Sequence, residues 1–192
     1  MKVSTLGYAV LGLLAGEAMS GYDLKLRMGD PVGFFWQASH SQIYPELAKL
    51  EGAGMVSHRV VAQEGKQDKK VYEISTSGRE AVEDWVASPP KAGLTRDETT
   101  LRAYLSWLGG ANEMAGFFRE RARSHQDQLE RYRETEARIH RGWGEDPLAM
   151  EPQQFASYAA LKRGIGYEQE YARWCRWVSE TLEARAEQGS EK

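Results

Sequence analysis

The sequence predicts a mainly α-helical chain with one two-stranded β-hairpin, in two domains. Short elements fill residues 1–88, and a helical, coiled-coil-like domain fills 89–192. Three observations carry this prediction. Apolar residues recur at helical spacing around two short runs with strand character, Met55–Gln63 and Lys70–Ser75. The segment Ser88-Pro89-Pro90-Lys91-Ala92-Gly93 stops a helix and favours extended backbone, which marks a boundary. Beyond Asn112 the chain is rich in Arg and Glu, has few breakers, and spaces its apolar residues by four and three in alternation.

Composition bounds the rest. The chain has 192 residues, of which 41% are hydrophobic and 28% charged, values of a folded chain of one or two domains. Lys and Arg number 25 against 28 Asp and Glu, a net charge of −3. That excludes a histone-like protein that grips nucleic acid over its whole surface, and leaves room for a local basic patch. Cys175 is the single cysteine, so no intrachain disulfide forms and a reducing, cytoplasmic setting is expected. No apolar run reaches the roughly 18 residues of a membrane span. The start reads as a core helix, not a signal peptide.

Taken in order, Ser4 or Thr5 caps a helix through Tyr8, Val10, Leu11, Leu13 and Leu14, apolar nearly all round and therefore buried. Gly16 to Met19 reads as a turn. Ser20 and Asp23, three apart, form a capping arrangement for a short helix through Tyr22, Leu24, Leu26 and Met28, which Gly29-Asp30-Pro31 ends. Gly33-Phe34-Phe35-Trp36 is an aromatic connection. A third helix follows, capped by Ser39 with Gln42 or by Ser41. Its Ile43, Leu47 and Leu50 fall on one buried face, and Gly52 and Gly54 end it. Pro45 belongs in its first turns or kinks it. The hairpin turns through Glu64-Gly65-Lys66-Gln67-Asp68, and Thr76 or Ser77 caps a fourth helix through Ala81, Val82, Trp85 and Val86. A two-stranded hairpin is marginal alone, so it must lie on the helices. Three helices followed by a hairpin whose tip carries Lys66, Lys69 and Lys70 make the plan of a winged helix-turn-helix.

At this point the chain resembles the PadR family of transcriptional regulators. The resemblance rests on Leu11-Gly12-Leu13-Leu14, Ser20-Gly21-Tyr22-Asp23-Leu24, Ile43-Tyr44-Pro45-Glu46-Leu47 and Leu50-Glu51-Gly52-Ala53-Gly54-Met55-Val56. Lys70-Val71-Tyr72-Glu73-Ile74 and Thr76-Ser77-Gly78-Arg79 complete it. These pieces, specific in combination, span most of residues 7–86. Gln67-Asp68 departs from the small or proline residues often found at the family's wing tip. In the second half, Arg96-Asp97-Glu98 leading into Leu101, Leu105 and Leu108 is similar to the start of the family's helical C-terminal region. Tyr167 to Leu182 is similar to its final dimerisation helix. The resemblance implies a dimeric, sequence-specific DNA-binding regulator, a repressor released by a small-molecule effector.

The residues suit that reading. A helix enters the major groove, where base edges carry a readable donor and acceptor pattern. Ser39, His40, Ser41, Gln42 and Tyr44 put hydrogen-bonding side chains near the third helix's N-terminus, and Lys49 lies further along it. Gln42 has the amide that pairs bidentately with adenine. Simple capping remains the other reading of Ser39 and Ser41, and partial core packing that of Tyr44. Lys66, Lys69 and Lys70 fit phosphate contacts, with a solvated hairpin as the alternative. So few cations bind weakly from a monomer, and a palindromic operator read by a homodimer is expected.

In the second half, Phe118, Ala122, His125, Leu129, Tyr132, Glu136 and Ile139 make one heptad seam. Tyr167, Tyr171, Trp174, Val178 and Thr181 make another. An intramolecular helical hairpin accounts for one seam and a homodimer for both, so Phe118, Leu129, Tyr132, Tyr167, Tyr171, Trp174 and Val178 are the expected dimer contacts. Tyr104, Trp107, Phe117, Trp174 and Trp177 (with Phe118) offer stacking surface for a small aromatic effector, or are ordinary packing. Cys175 is a thiol sensor or a buried inert thiol. His40, His58, His125 and His140 are scattered without metal-ligand spacing, and no phosphate loop or nucleophile elbow occurs, so no cofactor, no metal and no catalysis are expected. The competing function is a protein-interaction adaptor that keeps the winged helix as an oligomerisation module; the wing lysines and the polar third helix favour DNA.

Overall fold

The computed structural model describes residues 2–29, 40–62, 68–90 and 97–190. The chain divides into two compact units, 1–92 and 93–192. The aromatic connection at 33–36, the wing tip at 63–67, Ser39 and Lys66 lie outside the described residues.

In the first unit, helix α1 (Thr5–Gly16) is capped by Ser4, whose hydroxyl accepts from the Gly7 N–H at 2.9 Å. Helices α2 (Gly21–Gly29) and α3 (His40–Gly52) follow, then strands β2 (Val56–Val61) and β3 (Lys69–Ile74) and helix α4 (Thr76–Ala87). The sheet has three strands, not two. Met19, expected at the end of a turn, and Ser20, expected as a helix cap, form a short strand β1 that pairs antiparallel with β3, Met19 opposite Tyr72 and Ser20 opposite Val71. The strand order is β1-β3-β2. The physical reason is the open edge of β3, whose unpaired backbone groups β1 satisfies. Both its side chains are buried as well.

Val10, Leu11, Leu14, Leu24, Met28, Ile43, Leu47, Leu50, Val56 and Tyr72 make the core, so the α3 stripe predicted from spacing is the buried one. The cap of α4 is Ser75, one residue before the expected Thr76 or Ser77. Its hydroxyl accepts from Gly78 N–H at 3.1 Å, while the Ser77 hydroxyl donates to the Gly54 carbonyl at 3.0 Å. Gly78 has no room for a side chain: a Cβ there meets the Met55 carbonyl oxygen at 2.2 Å.

In the second unit, Asp97 caps α5 (Glu98–Tyr104), accepting from the N–H groups of Thr99 and Thr100. A 3-10 turn at Ser106–Leu108 leads to α6 (Ala111–Trp143), and a second at Pro147–Ala149 leads to α7 (Pro152–Ser190). The two long helices, about 50 and 58 Å at 1.5 Å per residue, run antiparallel. His140 faces Tyr158, Glu136 faces Lys162, His125 faces Glu168, and the Ser179 hydroxyl donates to the Ala115 carbonyl at 2.8 Å. Among the described residues no helix is long and apolar enough to cross a membrane.

This hairpin changes the reading of both seams. Phe118, Leu129 and Tyr132 are buried on α6, as the heptad requires, but α7 of the same chain packs along that face. They offer no surface to a second chain, and the need for a dimer to cover this seam disappears. On α7 the period is right and the phase is one residue off. Its buried line is Leu161, Ile165, Glu168, Ala172, Cys175 and Ser179, not Tyr167, Tyr171, Trp174 and Thr181. Its later part is small, Ala172, Cys175 and Ser179, where the large Phe118 ring of α6 packs, and Glu168 meets His125. Tyr167 is exposed, Tyr171 and Trp174 are half-buried on the flank, and only Val178 of the expected set is buried. Burial of Cys175 pushes its thiol up to about 11, which suits an inert thiol.

Phe118→Ala is therefore expected to cost the chain about 3–5 kcal/mol of unfolding free energy, measured by urea denaturation. Any self-association of the folded protein should stay as it was. A variant that unfolds like the parent but loses self-association would place Phe118 between chains.

Candidate nucleic-acid interface

The burial of Ile43, Leu47 and Leu50 fixes the rotation of α3 and sends Ser41 and Gln42, on its first turn, to the surface. Tyr44 is 44% exposed. Its ring lies against Gly21 at the start of α2, where a Cβ would meet ring atoms at 2.6 Å. Tyr44 therefore packs in part, as the alternative reading expects, while much of it stays exposed. His40 opens the helix.

One acidic side chain of α3 points inward. Glu46 is only 6% exposed and accepts the Ser4 hydroxyl proton at 2.6 Å. Ser4 thus caps α1 and holds α3 with one oxygen. Lys49, exposed, stands 3.4 Å from the other Glu46 oxygen. Behind α3, His58 Nδ1 of β2 pairs with Glu51, and the Tyr72 ring lies 5.5 Å from the imidazole.

At the base of the wing, Ser20 and Asp23 form the expected reciprocal cap. The Asp23 N–H donates to Ser20 Oγ at 3.2 Å, and the Ser20 N–H and hydroxyl donate to Asp23 Oδ2 at 3.3 and 2.8 Å. Lys69 Nζ reaches the same oxygen at 2.8 Å. The Lys69 hydrogen bond, helped by Ser20, holds the Asp23 carboxyl below the usual carboxylate range against the opposing effect of burial. Lys70 is exposed on the next position, and Arg59 pairs across the strands with Glu73 at 3.2 Å.

The predicted effector residues do not converge. Tyr104 and Trp107 are 77% and 76% exposed, and Trp177 is exposed on α7. Phe117 packs edge-on to Phe118 under the Arg102 guanidinium. Trp174 lines a groove, of about 400 Å³, between α5 and α7, with Thr100, Arg163, Tyr167, Glu170 and Tyr171. The Tyr171 hydroxyl donates to Asp97 at 2.6 Å, and burial together with that carboxylate pushes it up to about 12. Arg163 lies 5.6 Å over the Tyr167 ring. The sequence signal for this groove, aromatics at 167, 171 and 174, has the spacing of a seam, because a flank and a core line of one helix share the same period.

Comparison with known proteins agrees with this architecture. Residues 10–84 match the family described as Transcriptional regulator PadR-like, and residues 95–183 match Virulence activator alpha C-term. The chain is 31% identical over 170 residues to the Negative transcriptional regulator PadR of Bacillus subtilis (strain 168), covering 88% of this chain and 92% of that one. It is similar to the crystal structure of Bacillus subtilis PadR in complex with operator DNA, with a TM-score of 0.81, 29% identity and 93% and 99% coverage. It is also similar to the crystal structure of that protein in complex with p-coumaric acid, with a TM-score of 0.74, 27% identity and 93% and 95% coverage. An outward polar turn on α3 beside a β-wing, a helical second unit and this likeness along nearly the whole chain lead to one conclusion: the chain belongs to the PadR-like family of transcriptional regulators.

Proposed function

We propose that the protein is a homodimeric, sequence-specific DNA-binding repressor whose release from DNA is driven by a small planar effector. The observation that carries the reading is the exposed first turn of α3, with Ser41 and Gln42 held outward by the buried stripe beneath them and the wing of β2 and β3 following it in the chain. The Bacillus relative, solved on operator DNA, supports it. In this assignment α3 reads base edges, and Ser41, Gln42 and Tyr44 supply the contacts. His40 and Ser39 precede them in the chain. Lys70 meets a phosphate, as do Lys66 at the wing tip and Lys49 at the far end of α3. The primary test is to incubate the pure protein with sheared genomic DNA at physiological salt and sequence what is retained. A small set of enriched fragments is expected. No enrichment would overturn DNA binding and favour the adaptor role.

The dimer rests on a different surface from the one the heptads pointed to. Leu101, Tyr104, Leu105, Trp107 and Leu108 of α5 and the following turn are exposed together, more apolar surface than a solvated face requires. We assign a second copy to this surface. Two copies also supply more phosphate contacts than one chain of net charge −3 can offer. The effector belongs in the groove of Tyr167, Tyr171 and Trp174, whose aromatic walls and Arg163 suit a planar acid. The p-coumaric acid complex of the relative supports that class of ligand. Such a ligand releases DNA only by its differential affinity for two states, and moving a 1:99 ratio to 99:1 takes about 5.5 kcal/mol.

Two outcomes check these assignments. Gln42→Ala should cut discrimination between the retained fragment and unrelated DNA by about 1–3 kcal/mol. Lys70→Ala should instead weaken both alike and lower the salt slope by ~1, read by fluorescence anisotropy. Equal, sequence-blind losses in both variants would refute the division of labour. For the groove, p-coumaric acid should quench tryptophan fluorescence and release DNA over one concentration range. Trp174→Ala should abolish the release, and Trp177→Ala, exposed on α7 and outside the groove lining, should retain it. Release that survives Trp174→Ala would put the ligand elsewhere.

A further inference from the structure

Lys69 and Lys70 are neighbours in sequence, and both fit a phosphate contact by residue type. Their surroundings separate them. Lys69 Nζ sits 2.8 Å from Asp23 Oδ2, an oxygen that also accepts from the Ser20 N–H and hydroxyl. Ser20 belongs to β1 and lies opposite Val71 of β3, two residues along from Lys69. Asp23 stands in the first turn of α2. One carboxylate oxygen therefore ties together the start of α2, the short strand β1 and the root of the wing strand β3.

That junction bears on the wing because the pairing at the inner edge of β3 is short. β1 contributes two residues, which is few for a strand. The half-exposed Lys69 ammonium is held by its carboxylate at 2.8 Å, closer than the 3.4 Å between the well-exposed Lys49 and Glu46, so a DNA phosphate in its place would stand beside the negative charge of Asp23. Lys70, exposed one residue on, carries no such neighbour within the ion pairs of the described residues.

We infer that Asp23, Ser20 and Lys69 form the joint that sets the wing against α2, so that Asp23 and Lys69 are positioning residues for DNA binding and Lys69 is not itself a phosphate contact. This rests on the DNA-binding reading above and divides the wing lysines into one that holds and one that touches. The joint is partly exposed, and a surface ion pair of this kind contributes little to overall stability. Its loss shifts the wing without unfolding the chain.

The two roles of Lys69 give opposite results in Asp23→Asn. If Lys69 touches phosphate, removal of the competing carboxylate charge frees it, and binding to the retained fragment tightens. If it is part of the joint, Asp23→Asn and Lys69→Ala each weaken binding, by about three- to tenfold, and the double variant is no worse than the poorer single one, because the two residues act as one coupled pair. The salt slope of Lys69→Ala stays at the parent value, whereas a lost phosphate contact lowers it by about 0.9. Amide exchange at Ser20 and Val71, measured without DNA, rises in both single variants. Tighter binding by Asp23→Asn, additive losses, or a reduced slope for Lys69→Ala would each overturn the assignment. If the parent retains no DNA, the DNA reading falls. In that case faster exchange at Ser20 and Val71 shows that the joint exists without serving DNA, and unchanged exchange shows that it does not exist.

Discussion

The burial of one stripe on α3 is the constraint on which the first unit depends. Ile43, Leu47 and Leu50 are almost wholly removed from water, and their spacing of four and three leaves one rotation for the helix. Everything exposed on α3 is exposed because of that choice. Glu46 refines it. A buried carboxylate without partners is costly, and here the Ser4 hydroxyl supplies one at 2.6 Å. The helix is thus held by apolar area along its length and by one polar contact to the N-terminus of α1. Gly7 belongs to the same contact, since a Cβ there would come within 2.7 Å of the Glu46 carboxylate.

Much of this was legible in the sequence. The α3 stripe, the Ser20 and Asp23 cap, the hairpin and the two long helices follow from periodicity and from local hydrogen-bonding chemistry, which act over a few residues. What escaped was set by distant partners. Met19–Ser20 becomes a strand only because β3, some fifty residues on, leaves an edge to be paired. Ser75 rather than Thr76 caps α4 because the Gly54 carbonyl, twenty-one residues earlier, also accepts its hydroxyl at 2.7 Å. Glu46 reads as a solvated acid in any single-helix pattern, and nothing local announces its bond to Ser4.

The second unit shows the same division in sharper form. Four-three spacing identified a seam on α7 but not its phase, because large aromatics are stronger apolar signals than Ala172, Cys175 or Ser179. Packing reverses that weighting. Opposite Phe118 and His125 the facing helix needs small or hydrogen-bonding residues, and Glu168 meets His125 there. The displaced aromatics then stand on the flank, where Tyr167, Tyr171 and Trp174 line a groove in place of a seam. A groove wall and a core line in one helix thus differ by a rotation of a single residue.

In the complex proposed above, two outward-facing α3 helices, one from each copy, read one DNA site. Hydroxyl-radical footprinting of a fragment retained by the protein tests it most directly. Two protected stretches are expected, centred about one helical turn or a whole multiple of it apart, on one face of the duplex and related by two-fold symmetry. A single unpaired stretch, or uniform protection along the fragment, would contradict it.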